Sequence, residues 1–159
     1  MNSALLYILS PLLLLLVGFG SSFLSSAGNN QWYQNLTKAP WTPPSYLFGL
    51  VWAILYILLG VLLANTLLQR DTKAQLILLV SIILVVVIWP FLYFLGQLQL
   101  LSICLLLILI CLSLVYCGLS IQAKSVLRCV LILPLIIWGC YATSLAAYAY
   151  LNTNPTTKT

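Results

Sequence analysis

The chain has 159 residues, 64% of them hydrophobic, with six basic side chains, one acidic side chain and no histidine. A soluble domain of this length lacks the interior to hide that much apolar surface, so lipid is part of its solvent. Paired carboxylates, a Ser–His–Asp triad, a histidine metal site and a carboxylate proton relay are all excluded by the same counts.

A bilayer-spanning helix needs about 20 mostly apolar residues. Five runs qualify, at 4–24, 46–69, 75–95, 98–120 and 127–151. They predict an all-α membrane protein with five transmembrane helices in a single bundle. One domain would cover residues 1–151, followed by a polar tail, 152–159. The basic residues are scattered at helix ends rather than drawn into a stripe, which argues against nucleic acid as a partner. Arg70, Lys73, Lys124 and Arg128 fall on the side of the N-terminus, and Lys38 and Lys158 on the other. That excess predicts a cytoplasmic N-terminus.

The first run ends in small residues: Gly18, Gly20, Ser21, Ser22, Ser25 and Ser26. Small residues let membrane helices approach closely, within one molecule or across a homodimer seam. A signal peptide cleaved at Ser25-Ser26-Ala27 is the rival reading. The start of the chain carries no basic residue, and the run exceeds the usual ~7–15 residues. A spanning helix is therefore expected.

The connection 25–45 opens on a turn signal, Ala27-Gly28-Asn29-Asn30. Trp32, Tyr33 and Trp41 follow, with Pro40, Pro43 and Pro44. Aromatic rings belong at a membrane boundary in any case. Three of them among prolines also describe a stiff lid. In the second run Phe48, Trp52 and Tyr56 are spaced by four, so the three rings share one helical face. Such a column is either core or the wall of a binding surface; continuity with the lid favours the wall. Gln69 to Lys73 form a solvated loop.

The third run ends in Trp89-Pro90-Phe91-Leu92-Tyr93-Phe94, where Pro90 frees a carbonyl and bends the helix. The fourth run is a plain Leu, Ile and Cys segment. The fifth carries Pro134, Trp138 and a small-residue row of Gly139, Thr143 and Ala147. Runs two, three and five thus each contribute one tryptophan near a kink or the lid. Cys104, Cys111, Cys117, Cys129 and Cys140 all lie within spans and read as small buried apolar residues; no pairing follows from their spacing. The spans carry no internal repeat and no embedded charge, which counts against an inverted-repeat or ion-coupled transporter.

From Trp32 to Gly60 the chain reads WY-x2-L-x-K-x-PWTPP-x3-FG-x2-W-x2-LY-x3-G. Trp89-Pro90 with its following aromatics, and Pro134, Trp138, Tyr141-Ala142-Thr143 and Leu145, extend the pattern. It resembles the TspO/MBR family, the translocator proteins once called peripheral benzodiazepine receptors. The resemblance implies a five-helix bundle, commonly a homodimer, with an apolar cavity beneath the loop after the first helix. Family members bind tetrapyrroles such as protoporphyrin IX, and some bind cholesterol or benzodiazepine-type ligands. Several bacterial members are reported to accelerate light-dependent porphyrin breakdown. A bacterial membrane is favoured here over the mitochondrial outer membrane. Three positions depart from the pattern: Val86 and Ala146 replace asparagines, and Leu135 replaces the tyrosine after the helix-five proline. Tyr148 and Tyr150 are followed by no basic residue, so the sterol motif is missing.

The expected ligand site comprises Tyr33, Trp41, Pro44, Phe48, Trp52, Trp89, Phe91, Trp138, Ala142 and Leu145, with Lys38 near the surface for ligand carboxylates. If bound porphyrin is degraded, Trp52 and Trp138 are the residues expected to relay an electron or radical. Transport of such ligands is the further alternative. No cofactor and no metal are expected.

Overall fold

The computed structural model describes residues 3–25, 31–69 and 73–153. The expected turn at 27–30, loop residues 70–72 and tail residues 154–159 lie outside these. The elements are α1 (Ser3–Leu24), a single turn α2 (Gln31–Gln34), α3 (Ser45–Leu68), α4 (Lys73–Pro90), a π turn (Phe91–Leu95), α5 (Gln99–Gln122) and α6 (Val126–Thr153). Among the described residues there is no strand. Among the described residues five helices are long and apolar enough to cross a membrane: α1, α3, α4 with its π turn, α5 and α6.

Close approach of α1 and α3 rests on two glycines. A Cβ added at Gly60 would lie 2.3 Å from Pro11 Cα, so the two backbones touch there. One added at Gly18 would meet the Tyr56 ring, also at 2.3 Å. Gly18 and Ser21 are buried against α3, so these small residues serve packing within the chain. Gly20, by contrast, faces open space. The α5–α6 hairpin closes through a tight turn in which Lys124 adopts φ 54°. Gly139 admits Ile110 of α5, where an added Cβ would stand 3.1 Å from Cγ1.

Pro90 ends the regular ladder of α4, because it brings no N–H and crowds the preceding turn. The chain continues with wider bonds: Gly96 N donates to Phe91 O at 2.9 Å, and Leu98 N to Leu92 O at 3.0 Å. One extra residue per turn is thereby accommodated, which carries Phe94 round to the face that holds Trp89.

The centre of the bundle is filled by Leu55, Leu59, Leu62, Leu79, Ile82, Leu106, Leu109, Ile132 and Leu135. At the end away from the lid it turns polar. Arg128 is 0% exposed. Its Nε donates to Asn65 Oδ1 at 3.0 Å, Nη1 to Gln75 Oε1 and Nη2 to Gln69 Oε1. Asn65 Nδ2 in turn donates to Tyr7 Oη at 3.0 Å, and Gln75 Nε2 to Ser120 Oγ at 3.2 Å. The Thr66 and Tyr116 hydroxyls meet at 2.8 Å. This network joins α1, α3, α4, α5 and α6. It corrects two expectations: Arg128 is not a flanking surface charge, and the spans do contain an embedded one. Three carboxamide oxygens replace the water a guanidinium loses on burial, which is what allows it to sit there.

The cysteines also differ from expectation. Cys104, Cys111 and Cys140 are exposed on the outer face of the helices rather than buried. Cys117 and Cys129 face each other across the α5–α6 hairpin and are disulfide-bonded.

Candidate functional site

The half of the bundle beneath the lid is hollow. A cavity of about 640 Å³ lies between α1, α3, α4 and α6, roofed by the segment before α3. Small-molecule sites typically occupy roughly 300–1,000 Å³ and are mostly apolar with a few polar groups. Gly18 and Ser21 of α1 line one side, Phe48, Trp52 and Tyr56 of α3 the next, Trp89, Tyr93 and Phe94 the third, and Ala142, Leu145 and Ala146 of α6 the last. No residue of α5 reaches it.

The walls form a continuous aromatic system. Trp52 stacks on Trp89 with centroids 6.0 Å apart, and Trp89 on Tyr93 at 5.2 Å. Trp138 meets Trp52 edge-on at 6.5 Å and Phe48 at 5.6 Å. From the lid, Tyr33 contacts Tyr93 at 6.2 Å and Phe94 at 5.3 Å. Offset and edge-to-face pairs of this kind add about 0.5–1.5 kcal/mol each beyond burial. Two buried indole nitrogens, Trp89 Nε1 and Trp138 Nε1, have no hydrogen-bond partner among the described residues.

The lid is held by short-range and long-range bonds. α2 orients Trp32 and Tyr33 inward, and Thr42 N donates to Ala39 O at 2.9 Å to close the following turn. Pro44, with φ −55° and ψ 144°, supplies the extended residue that starts α3. Two bonds latch the lid to α6, one at its middle and one at its end. Tyr141 Oη donates to the Trp41 carbonyl at 2.7 Å, and Thr37 N donates to Thr153 Oγ1 at 2.9 Å. Trp41 also packs on Tyr148 at 5.2 Å. Lys38 lines the mouth with Nζ 5.0 Å from the Tyr33 ring centre. Burial pushes the Tyr33 phenol above its ordinary range. At neutral pH it meets a ligand as an uncharged hydroxyl.

Six of the ten expected site residues line this cavity: Tyr33, Phe48, Trp52, Trp89, Ala142 and Leu145. The other four do not. Trp41 lies on the outer side of the lid, half exposed, and Pro44 is exposed at the helix start. Phe91 does not line the chamber, and Trp138 stands one layer back, supporting Phe48 and Trp52. Tyr56, Val86, Tyr93, Phe94 and the small residues of α1 take the vacated places. The aromatic run after Trp89 was the available signal for Tyr93 and Phe94. Nothing in the spacing showed that α1 would contribute. Of the three departures from the family pattern, Val86 and Ala146 face the cavity, whereas Leu135 is core. The wall is accordingly apolar where the pattern places amides.

Comparison with known proteins agrees with this architecture. A "Tryptophan-rich protein TspO" of Archaeoglobus fulgidus is 41% identical over 54 residues, covering 34% of this chain and 35% of the relative. One of the same description from Chlorobaculum tepidum is 42% identical over 55 residues, covering 35% of each. The chain thus matches about a third of the length of these curated relatives, both from prokaryotes. The TspO/MBR family model matches far more of it, residues 10–151. With five membrane-length helices and that match, the chain is a multi-pass integral membrane protein and belongs to the TspO/MBR family.

Proposed function

We propose that the chain binds a flat, largely apolar ligand of the tetrapyrrole class, of the protoporphyrin IX type, in the cavity beneath the lid. The observation that carries this reading is the unbroken ring system from Tyr33 through Tyr93 and Trp89 to Trp52, set along a cavity of about 640 Å³. A planar conjugated ligand gains both burial and offset stacking on such a wall. Among the described residues Lys38 is the one basic residue on the lining, at the mouth, where ligand carboxylates keep their water while meeting its ammonium. Titrating the purified protein with protoporphyrin IX and following tryptophan fluorescence tests the reading. Saturable quenching is expected; quenching equal to that of free indole in the same detergent overturns it.

A second reading, porphyrin breakdown under light, draws on the contact between Trp52 and Trp138 at 6.5 Å and the stack of Trp52 on Trp89. An indole gives one electron to the photoexcited ring, which passes it to dioxygen; the oxidised indole radical is shared along the stack. Illuminating the complex and following the Soret band decides. Bleaching no faster than in empty micelles removes this role. Passage of the same ligands across the bilayer is the third possibility, measured as flux into proteoliposomes against protein-free vesicles. A homodimer, common in the family, belongs to the same proposal, as does a single five-helix unit over residues 1–151. Light scattering on the detergent-solubilised protein gives the oligomeric state.

A further inference from the structure

Outside the cavity, the cysteine pair of the α5–α6 hairpin carries an inference independent of the ligand. Cys117 and Cys129 lie on facing turns with Cα atoms 4.9 Å apart and their sulfurs bonded. That separation falls within the roughly 4.4–6.8 Å a disulfide requires. The remaining cysteines, Cys104, Cys111 and Cys140, are free thiols on the outer face. Both members of the pair lie within two helical turns of the 123–125 connection, close to the aqueous boundary. Each is the chain neighbour of a network residue. Tyr116, beside Cys117, bonds Thr66 of α3. Arg128, beside Cys129, bonds Asn65 of α3, Gln69 at the α3 C-cap and Gln75 of α4. A bond between the sulfurs therefore fixes the spacing of two of the side chains by which the hairpin holds α3 and α4.

We propose that Cys117 and Cys129 are a reversible dithiol–disulfide site that clamps this end of the bundle. The oxidant is a low-molecular-weight disulfide. One cysteine thiolate attacks it, forming a mixed disulfide and releasing one thiol; the second cysteine thiolate then displaces the other thiol. In total the pair loses two electrons and two protons, and the small disulfide becomes two thiols. The clamp closes when the surrounding thiol pool is oxidised and opens when it recovers.

The test uses the full chain in nanodiscs, equilibrated over ratios of reduced to oxidised glutathione, quenched in acid, denatured and alkylated with a maleimide for intact mass. Five adducts are expected on the reduced protein and three on the oxidised one, with a single two-thiol transition between them. C117S and C129S each abolish that transition. The triple variant C104S/C111S/C140S retains it, passing from two adducts to none. Oxidation also raises the melting temperature by roughly 5–10 °C, a shift absent from C117S. Five alkylated thiols at every ratio overturn the proposal. So do thiol losses that appear only as glutathione adducts or intermolecular dimers, or a melting shift that survives in C117S.

Discussion

Beneath the lid, two buried indole N–H groups have no partner among the described residues; at the α5–α6 turn, a buried guanidinium has three. The same chain thus leaves cheap polar atoms unanswered in one half and answers an expensive one in the other. The lid half keeps about 640 Å³ empty and is walled by rings that touch at their edges and faces, which bury the two nitrogens without offering them an acceptor among the described residues. In the turn half the carboxamides that accept from Arg128 belong to Asn65 of α3, to Gln69 at its C-cap and to Gln75 of α4. A site that must admit a guest forgoes contacts, and the stability it lacks is offset where nothing has to move.

If this division is right, the largest losses of stability come from the turn half and leave the ligand site alone. Arg128→Met removes the donor from three amide oxygens and strands those of Asn65 and Gln75, which are buried, while the exposed Gln69 returns to water. Each stranded group costs about 1–3 kcal/mol, less where it finds a new partner, so a loss of about 3 kcal/mol is expected. Thermal unfolding in detergent measures it, and the fraction that remains folded should bind ligand with unchanged affinity. A Met variant as stable as the parent would show that the network is incidental.

The α1–α3 seam sharpens the comparison, because its two glycines fall on different sides of the boundary. Gly60→Ala drives a methyl into the Pro11 backbone, which cannot yield without separating the helices. A cost of about 1–3 kcal/mol is expected, with no effect on binding by the folded protein. Gly18→Ala pushes instead on the Tyr56 ring, a cavity wall, and should weaken ligand binding as well. Gly20→Ala, facing open space, is the neutral control.

The bundle was legible in the sequence because a membrane leaves few options: five apolar runs of sufficient length are five helices. The lid was legible because prolines limit the backbone wherever they occur. The exact wall of the cavity was not. Phe94 reaches the chamber only through the π turn after Pro90, and helical periodicity carries no sign of that extra residue. Trp138 shares a helix with Ala142 and was placed beside it; the rotation of α6 sets it one layer back, behind Trp52. Arg128 was misread because a basic residue near a helix end looks the same whether it faces water or three amides on other helices. The cysteine pair hides in a similar way. Cys117 and Cys129 stand six residues to either side of Ala123, a symmetry that matters only once the hairpin closes there.

In the lid half the expected effects appear in binding rather than in folding. Trp52→Leu removes the ring that joins Trp89 to the Trp138 layer. Loss of its stacking on a planar ligand is worth about 1–2 kcal/mol, a roughly 5–30-fold rise in the dissociation constant for protoporphyrin IX. Equal affinity for parent and variant would place the ligand elsewhere.

The smallest effect tests the latch. The Tyr141 hydroxyl donates to the Trp41 carbonyl at 2.7 Å, tying the lid to α6 across 100 residues of sequence. Tyr141→Phe deletes one hydrogen bond and little volume, and the ring can keep its place against Trp138. A net hydrogen bond is worth about 0.5–1.5 kcal/mol. Because the bond holds the closed lid and not the ligand, its loss should speed release by roughly 2–12-fold, with little change in the melting temperature. Stopped-flow displacement of bound protoporphyrin IX measures the rate. An unchanged release rate would mean that the ligand leaves without lifting the lid, by a gap between helices, and would move the mouth of the site from the Trp41 side to the lipid face.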